Sequence, residues 1–185
     1  MILNIPVRVR HVLQTLTEAG YEAYLVGGCV RDLLRGVQPH DWDICTSARP
    51  EETEACFAGH RMIETGLKHG TVTVLEGGEP YEITTYRTEG PYSDSRRPDY
   101  VEFVSSLEAD LARRDFTMNA IAMGLDSSLW DPFAGAADIQ AGLIRCVGEP
   151  TRRFQEDGLR VMRALRFAAV LGYEIEEQTA QAINE

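Results

Sequence analysis

Long apolar runs are missing from the 185 residues, and the N-terminus carries no secretory apolar segment. The chain therefore reads as cytoplasmic, with no membrane partner. Cysteine is scarce: Cys29, Cys45, Cys56 and Cys146 are scattered, with no C-x-x-C pair. That spacing argues against a disulfide frame and against zinc, and the thiols read as small buried hydrophobes. His11, His40, His60 and His69 are equally dispersed. Positive charge is in deficit, with 18 Lys and Arg against 29 Asp and Glu and a formal net charge of -11. Such a balance argues against a surface that wraps nucleic acid by charge alone. Repeats and low-complexity tracts are also absent. What remains, 44% hydrophobic and 25% charged, suits one globular domain or one domain plus the start of another.

The basic residues are unevenly spread. Arg96-Arg97, Arg113-Arg114, Arg152-Arg153, Arg160, Arg163 and Arg166 fall in the second half. An acidic chain with local arginine stripes fits a nucleotide site better than a broad polyanion surface. The rest is organised around Tyr24–Cys45, YLVGGCVRDLLRGVQPHDWDIC. It reads as a strand (Tyr24–Val26), the glycines Gly27 and Gly28, a helix (Cys29–Arg35) closed by Gly36, and a second strand carrying Asp41 and Asp43. The glycines let backbone approach a ligand closely, and the first helical amides face an anion.

Residues 6–19 read as a helix: Pro6 suits the first turn, Val9, Val12, Leu13 and Leu16 make the stripe, and Gly20 ends it. Another short helix runs from Pro50 to about Phe57. Thr71–Leu75 and Tyr81–Tyr86 form a hairpin across Gly77-Gly78. Residues 88–99, TEGPYSDSRRPD, read as a long mobile loop of the length usually reserved for function or disorder. Tyr100–Val104 is a strand, Phe116–Met123 a helix, Leu129–Asp131 an extended piece, Ile139–Ala141 a helical turn and Leu143–Val147 a strand. From Thr151 the pattern is helical to about Leu171, then again from about Glu176. Residues 1–140 are thus expected to form one domain and 141–185 the start of a helical second one, a piece of a longer protein.

Three groups of residues carry chemistry. Asp41 and Asp43, two apart on a strand, put both carboxylates on one face, with Trp42 and Ile44 turned to the core. A D-x-D pair alone also suits a turn; here it follows a phosphate cradle. Glu82 lies on the face opposite Ile83 and completes the site if its strand runs beside the aspartates, although a solvated strand position would also suit it. Three carboxylates would hold two Mg²⁺ ions, one activating a hydroxyl and one stabilising a pyrophosphate leaving group. In RRDFTMNA, Asp115 suits a helix N-cap. Equally, Arg114 could contact a phosphate, Asp115 a ribose hydroxyl, and Asn119 could support the same site. Glu156, Asp157, Arg160, Arg163 and Arg166 sit on a third stretch; on a helix Asp157 would touch Arg160, and Arg160 would touch Arg163. Such a row is commonly a solvated salt-bridge face, but its excess positive charge and apolar flanks point to a cleft. A carboxylate that accepts beside a guanidinium that donates matches the Watson–Crick edges of cytosine and adenine, not of uracil and guanine. Each unpaired buried donor or acceptor costs about 1–3 kcal/mol, enough to discriminate.

In order from about Tyr21 to Tyr173, GGCVRDLLRG, PHDWDICT, GLKHGTVTVL, YEITTYRTEGPYSDSRRPD, RRDFTMNAIAM, DPFAGAADI and EDGLRVMRALRFAAVLGY closely resemble the bacterial class II tRNA nucleotidyltransferases, the CCA-adding enzymes. The resemblance implies an α/β fold of the α+β type: a polymerase β-like nucleotidyltransferase head, its mixed sheet flanked by helices, then an all-helical neck. It implies template-independent addition of CMP and AMP from CTP and ATP to the tRNA 3′ end. Asp41 and Asp43 match the Mg²⁺ ligands, and Glu82 stands where a third catalytic carboxylate is expected. Gly28 and Arg31, next to Gly27, match the triphosphate motif. Arg114 and Asp115 match the phosphate and ribose segment, with Asn119 beside them. Asp157 and Arg160 match the amino-acid template for C or A, and Arg163 and Arg166 the remaining nucleotide contacts. Residues 88–99 match a loop implicated in switching from C to A addition. Trp42 and Gly158 depart from the family's usual smaller apolar residue and proline. A bacterial poly(A) polymerase, or an enzyme adding only CC or only A, shares the chemistry; GLKHGTVTV is closer to the CCA-adding branch. A non-catalytic nucleotide- or RNA-binding module would not need Asp41, Asp43 and Glu82 intact.

Overall fold

The structure is a computed structural model that describes residues 5–63, 66, 69–94, 96 and 98–184. Leu67 and Lys68 of the GLKHGTVTVL segment, and Ser95 and Arg97 of the 88–99 stretch, lie outside the described residues. Helix α1 (Val7–Glu18) follows Pro6 and buries Val9, Val12, Leu13 and Leu16, the stripe its spacing requires. Strand β1 (Ala23–Val26), helix α2 (Gly28–Leu34) and strand β2 (Asp43–Thr46) form the central unit. Helix α3 (Pro50–Cys56) starts on a proline, and Glu52 accepts from the Arg49 amide at 2.7 Å. Strands β3 (Arg61–Ile63), β4 (Thr71–Glu76) and β5 (Glu79–Thr85) follow. Then come the β6 (Arg87–Glu89) and β7 (Val101–Phe103) pair and helix α4 (Leu107–Ala112).

A single tight helical turn, Thr117–Asn119, leads to β8 (Ala122–Met123) and β9 (Leu129–Trp130). The remainder holds α5 (Gly135–Ala141), β10 (Leu143–Ile144), α6 (Pro150–Glu156), α7 (Leu159–Leu171), β11 (Glu174–Ile175) and α8 (Glu177–Ala182). Among the described residues, seven strands make one mixed sheet in the order β3-β4-β5-β2-β1-β8-β9. All its pairings are antiparallel except β2 with β5. Alternation along the strands feeds two cores. Ile44 and Ile83 join a large cluster with α1, α2, Phe116 and Phe167. Cys45 and Tyr86 join a smaller one under α4 with Leu107 and Leu111. A two-residue parallel pair, β10 with β11, threads into the helical C-terminal part.

Four local assignments differ from the sequence reading. Asp41 lies in a bend before β2, which begins at Asp43. Phe116–Met123 is not a helix: its wholly apolar, buried end, Ala122 and Met123, pairs with Val26 and Leu25. Short apolar runs of this kind suit a buried strand as well as a helix. Thr88 and Glu89 belong to β6, so the loop begins only at Gly90, whose N–H donates to Tyr100 O at 3.0 Å; between them the described residues form no helix or strand. The run from Thr151 breaks at Asp157, whose φ of -142° and ψ of 104° are extended. All four cysteines are free thiols. Among the described residues no helix is long and apolar enough to cross a membrane.

Candidate active site

A cavity of about 450 Å³ opens between the end of β1, the Arg113–Asn119 segment and α7. Of the residues expected at a site, Gly27, Gly28, Arg31, Asp43, Arg114, Asp115, Asn119, Asp157, Arg160, Arg163 and Arg166 line it. Asp41 and Glu82 stand outside its walls. Gly27 adopts φ 77°, a conformation that favours glycine, and space reinforces the choice. A Cβ there would stand 3.4 Å from Arg114 Nη1 and 3.6 Å from Asp43 Oδ2. The backbone of Gly27 thus runs between a guanidinium and a carboxylate.

Parallel pairing of β2 with β5 sets Glu82 opposite Asp43, as the catalytic reading requires. Burial first, then the Glu82 carboxylate, push the Asp43 carboxyl above its ordinary value. Asp41 adds to the shift and Arg114 opposes it. Among the described residues, however, no three Asp, Glu, His or Cys side chains gather closely enough to cage a metal ion. The donor set nonetheless fits Mg²⁺, which takes one or two carboxylates plus substrate phosphates and keeps waters. The local excess of negative charge at Asp43 is what a divalent cation would relieve.

A hydrogen-bonded chain crosses the cavity floor. Arg31 Nη1 donates to Asn119 Oδ1 at 3.0 Å, and Asn119 Nδ2 donates to Asp115 Oδ1 at 3.2 Å. Arg163 Nε donates to Asp115 Oδ2 at 2.7 Å. Asp115 does not cap a helix; it accepts from the Phe116 amide at 2.7 Å in an extended segment. The guanidinium carbons of Arg31, Arg163 and Arg166 lie 5.2, 5.9 and 5.0 Å from the Phe167 ring centroid. One aromatic therefore organises three cations on the α7 side.

Arg160 is placed differently from the helical expectation. Because the chain is extended at Asp157, Arg160 pairs with Glu156 one turn earlier, at 2.7 Å. Asp157 Oδ1 instead accepts from the Leu159 amide at 2.9 Å. Arg160 is buried, donates to the Arg153 carbonyl at 3.0 Å, and lies 5.8 Å from the Tyr92 ring centroid. Tyr92 in turn donates to Glu89. Arg163 turns to Asp115 rather than to Arg160, so the stripe is split between two partners.

A family model described as the poly A polymerase head domain matches residues 23–145. The chain belongs to the poly(A) polymerase head-domain family. Within its wider relations, the CCA-adding enzyme of Lactobacillus helveticus (strain DPC 4571) is 56% identical over 179 residues, 97% of this chain and 44% of that enzyme. A solved Bacillus stearothermophilus CCA-adding enzyme in complex with CTP is 48% identical, with a TM-score of 0.86 over 95% of this chain and 42% of that one. Thermotoga maritima CCA-adding enzyme complexed with tRNA is 28% identical, with a TM-score of 0.78 over 98% of this chain and 42% of that one. The chain thus spans less than half the length of these relatives.

Several cavity residues were given no individual role from the sequence, although Arg96 and Arg113 belong to its arginine stripes and Glu89, Tyr92 and Pro98 to the 88–99 stretch. Glu89, Tyr92, Arg96, Pro98, Arg113 and Phe167 all line the cavity. Behind the wall, Asp110 holds Arg113 and Arg114. Its position three and four residues before that pair was a visible charge pattern. Nothing local in the sequence marks Phe167 apart from other apolar residues of α7.

Proposed function

We propose that this chain supplies the catalytic and nucleotide-selecting part of a template-independent tRNA nucleotidyltransferase. The enzyme adds CMP and AMP from CTP and ATP to the tRNA 3′ end, acting in the cytoplasm. Residues 1–140 form the head and 141–185 the beginning of the neck. The observation that carries this reading is one cavity shared by Gly27, Gly28, Arg31 and Arg114 with Asp157 and Arg160, and with Asp43 on its wall. The naming of relatives as CCA-adding enzymes, one solved with CTP and one with tRNA, favours this substrate choice over poly(A) synthesis.

Asp41 and Asp43 would hold Mg²⁺, with Glu82 beside them as the third catalytic carboxylate. When bound, the ion would supply Lewis acidity, neutralising phosphate charge and easing deprotonation of the attacking hydroxyl. Gly27 and Gly28 let the triphosphate lie against backbone, and Arg31 and Arg114 orient it. Asp115, steadied by Asn119, accepts from the ribose 2′-hydroxyl. Asp157 and Arg160 read the donor and acceptor edge of cytosine or adenine, while Arg163 and Arg166 complete the nucleotide contacts. The tRNA 3′-hydroxyl then attacks the α-phosphate and pyrophosphate leaves. Both terminal nitrogens of Arg160 already have protein acceptors, Nη1 in Glu156 and the Arg153 carbonyl and Nη2 in Tyr92 and the Arg113 carbonyl, so base reading requires these bonds to be shared or released. Calorimetric titration of CTP with and without Mg²⁺ tests the reading. Mg²⁺ should tighten binding to the native chain and have no such effect on Asp43→Asn. Equal Mg²⁺ dependence in both would contradict it.

A further inference from the structure

Asp110 lies on α4, outside the residues that meet the cavity, and its side chain is wholly buried. Oδ1 accepts from Arg113 Nε at 3.0 Å and from the Arg87 amide at 3.1 Å. Oδ2 accepts from Arg114 Nη2 at 3.1 Å. Arg113 has a second carboxylate in Glu89, 3.0 Å from its Nη1. Arg114 is gripped by Asp110 on one nitrogen, and its other terminal nitrogen faces Gly27, 3.4 Å from where a Cβ would stand. A guanidinium is a rigid plane, so fixing Nη2 also aims Nη1. Such a charge-assisted contact is short and directional, and it persists in a buried setting only where each lone pair is used.

We propose that Asp110 is the positioning residue that aims Arg114 at the nucleotide's triphosphate. This rests on the reading of the cavity as a nucleotide site and extends it to a residue that touches no substrate. The Arg87 amide starts β6, so the same carboxylate also ties the strand beneath the 90–100 loop to the phosphate-holding arginine.

Two readouts test the assignment. The NMR signal of the Arg114 Nη2 hydrogens, which donate to Asp110 Oδ2, reports the side chain's immobilisation without any nucleotide. In the native chain it should exchange slowly with solvent, and in Asp110→Asn exchange should accelerate by about tenfold or more, the scale of one lost charged hydrogen bond. An unchanged Arg114 signal would overturn the proposal. The second readout is CTP affinity in a double-variant cycle. Arg114→Gln should weaken CTP binding by about tenfold, and Asp110→Asn added to it should cause no further loss. This neutral pair also keeps the test open if Asp110→Asn alone, with Arg114 left without its hydrogen-bonded carboxylate, fails to fold. A further loss as large in the Arg114→Gln background as in the native one would make Asp110 a scaffold residue and overturn the assignment. If the native chain binds no CTP, the nucleotide reading falls, while the Arg114 signal still decides whether Asp110 holds that side chain.

Discussion

Asp43 and Asp110, both near Arg114, are driven in opposite directions. Asp110 resists ionisation through burial, but Arg113 and Arg114 outweigh this and hold its carboxyl below the ordinary value. A depressed folded pKa contributes stability above the unfolded value, about 3.9, and loses it as pH falls further. Denaturant unfolding at stepped pH should therefore show a shallower acid-side loss for Asp110→Asn than for the native chain; identical slopes would count against this account. Asp43 is the reverse case, raised by burial and by Glu82. Its charge destabilises the ligand-free fold at neutral pH, so Asp43→Asn should raise the thermal midpoint while removing Mg²⁺-dependent CTP binding. A lowered midpoint would show that Asp43 is held by contacts this account omits. Asp43 and the Arg114-Asp115 pair could each be picked out as candidates because each sits in a short motif, D-W-D and RRDF. The partner of Arg160 could not, since Asp157 and Glu156 both lie within one helical turn. Gly158 was the available warning, as glycine in a helix interior costs about 1 kcal/mol relative to alanine.

At the scale of elements, the cavity depends on how closely α5 approaches the turn that carries Asn119. Gly135 makes this possible. A Cβ there would stand 2.1 Å from the Thr117 carbonyl oxygen and 2.6 Å from its carbon. Thr117 Oγ1 also donates to Asp138 on α5, at 2.6 Å. Gly135→Ala should force the two elements apart, lower the thermal midpoint despite alanine's better helix propensity, and weaken CTP binding through Asn119. A midpoint equal to that of the native chain would show the contact to be soft. The elements read best from sequence were those with a clear period: α1, the β4–β5 hairpin and α3. Those read worst were short. α4, with only Leu107 and Leu111 as its buried apolar residues, offers too few turns for a stripe. β8 has just two residues, and only its pairing with β1 and β9 makes it a strand.

Across the whole molecule, function rests on contacts between distant parts of the chain. Glu82 meets Asp43 through a parallel pairing that no local pattern specifies; the sequence supported it only on the condition that the two strands be neighbours. Arg31 reaches Asn119 across 88 positions, and Asp115 reaches Arg163 across 48. The large core that includes Leu16, Ile44, Phe116 and Phe167 supports both the sheet and α7. Leu16→Ala should thus cost about 2–5 kcal/mol of stability, read by urea unfolding, while leaving nucleotide preference intact. A changed preference would mean that the core sets the site's geometry more tightly than its distance implies. The central claim is that this chain selects its nucleotide with protein side chains. The most direct measurement is Mg²⁺-dependent binding of CTP, ATP, UTP and GTP to the native chain and to Arg160→Ala. Tight binding of CTP and ATP, weak binding of UTP and GTP, and loss of that preference in Arg160→Ala are predicted. Equal binding of all four by the native chain would contradict it.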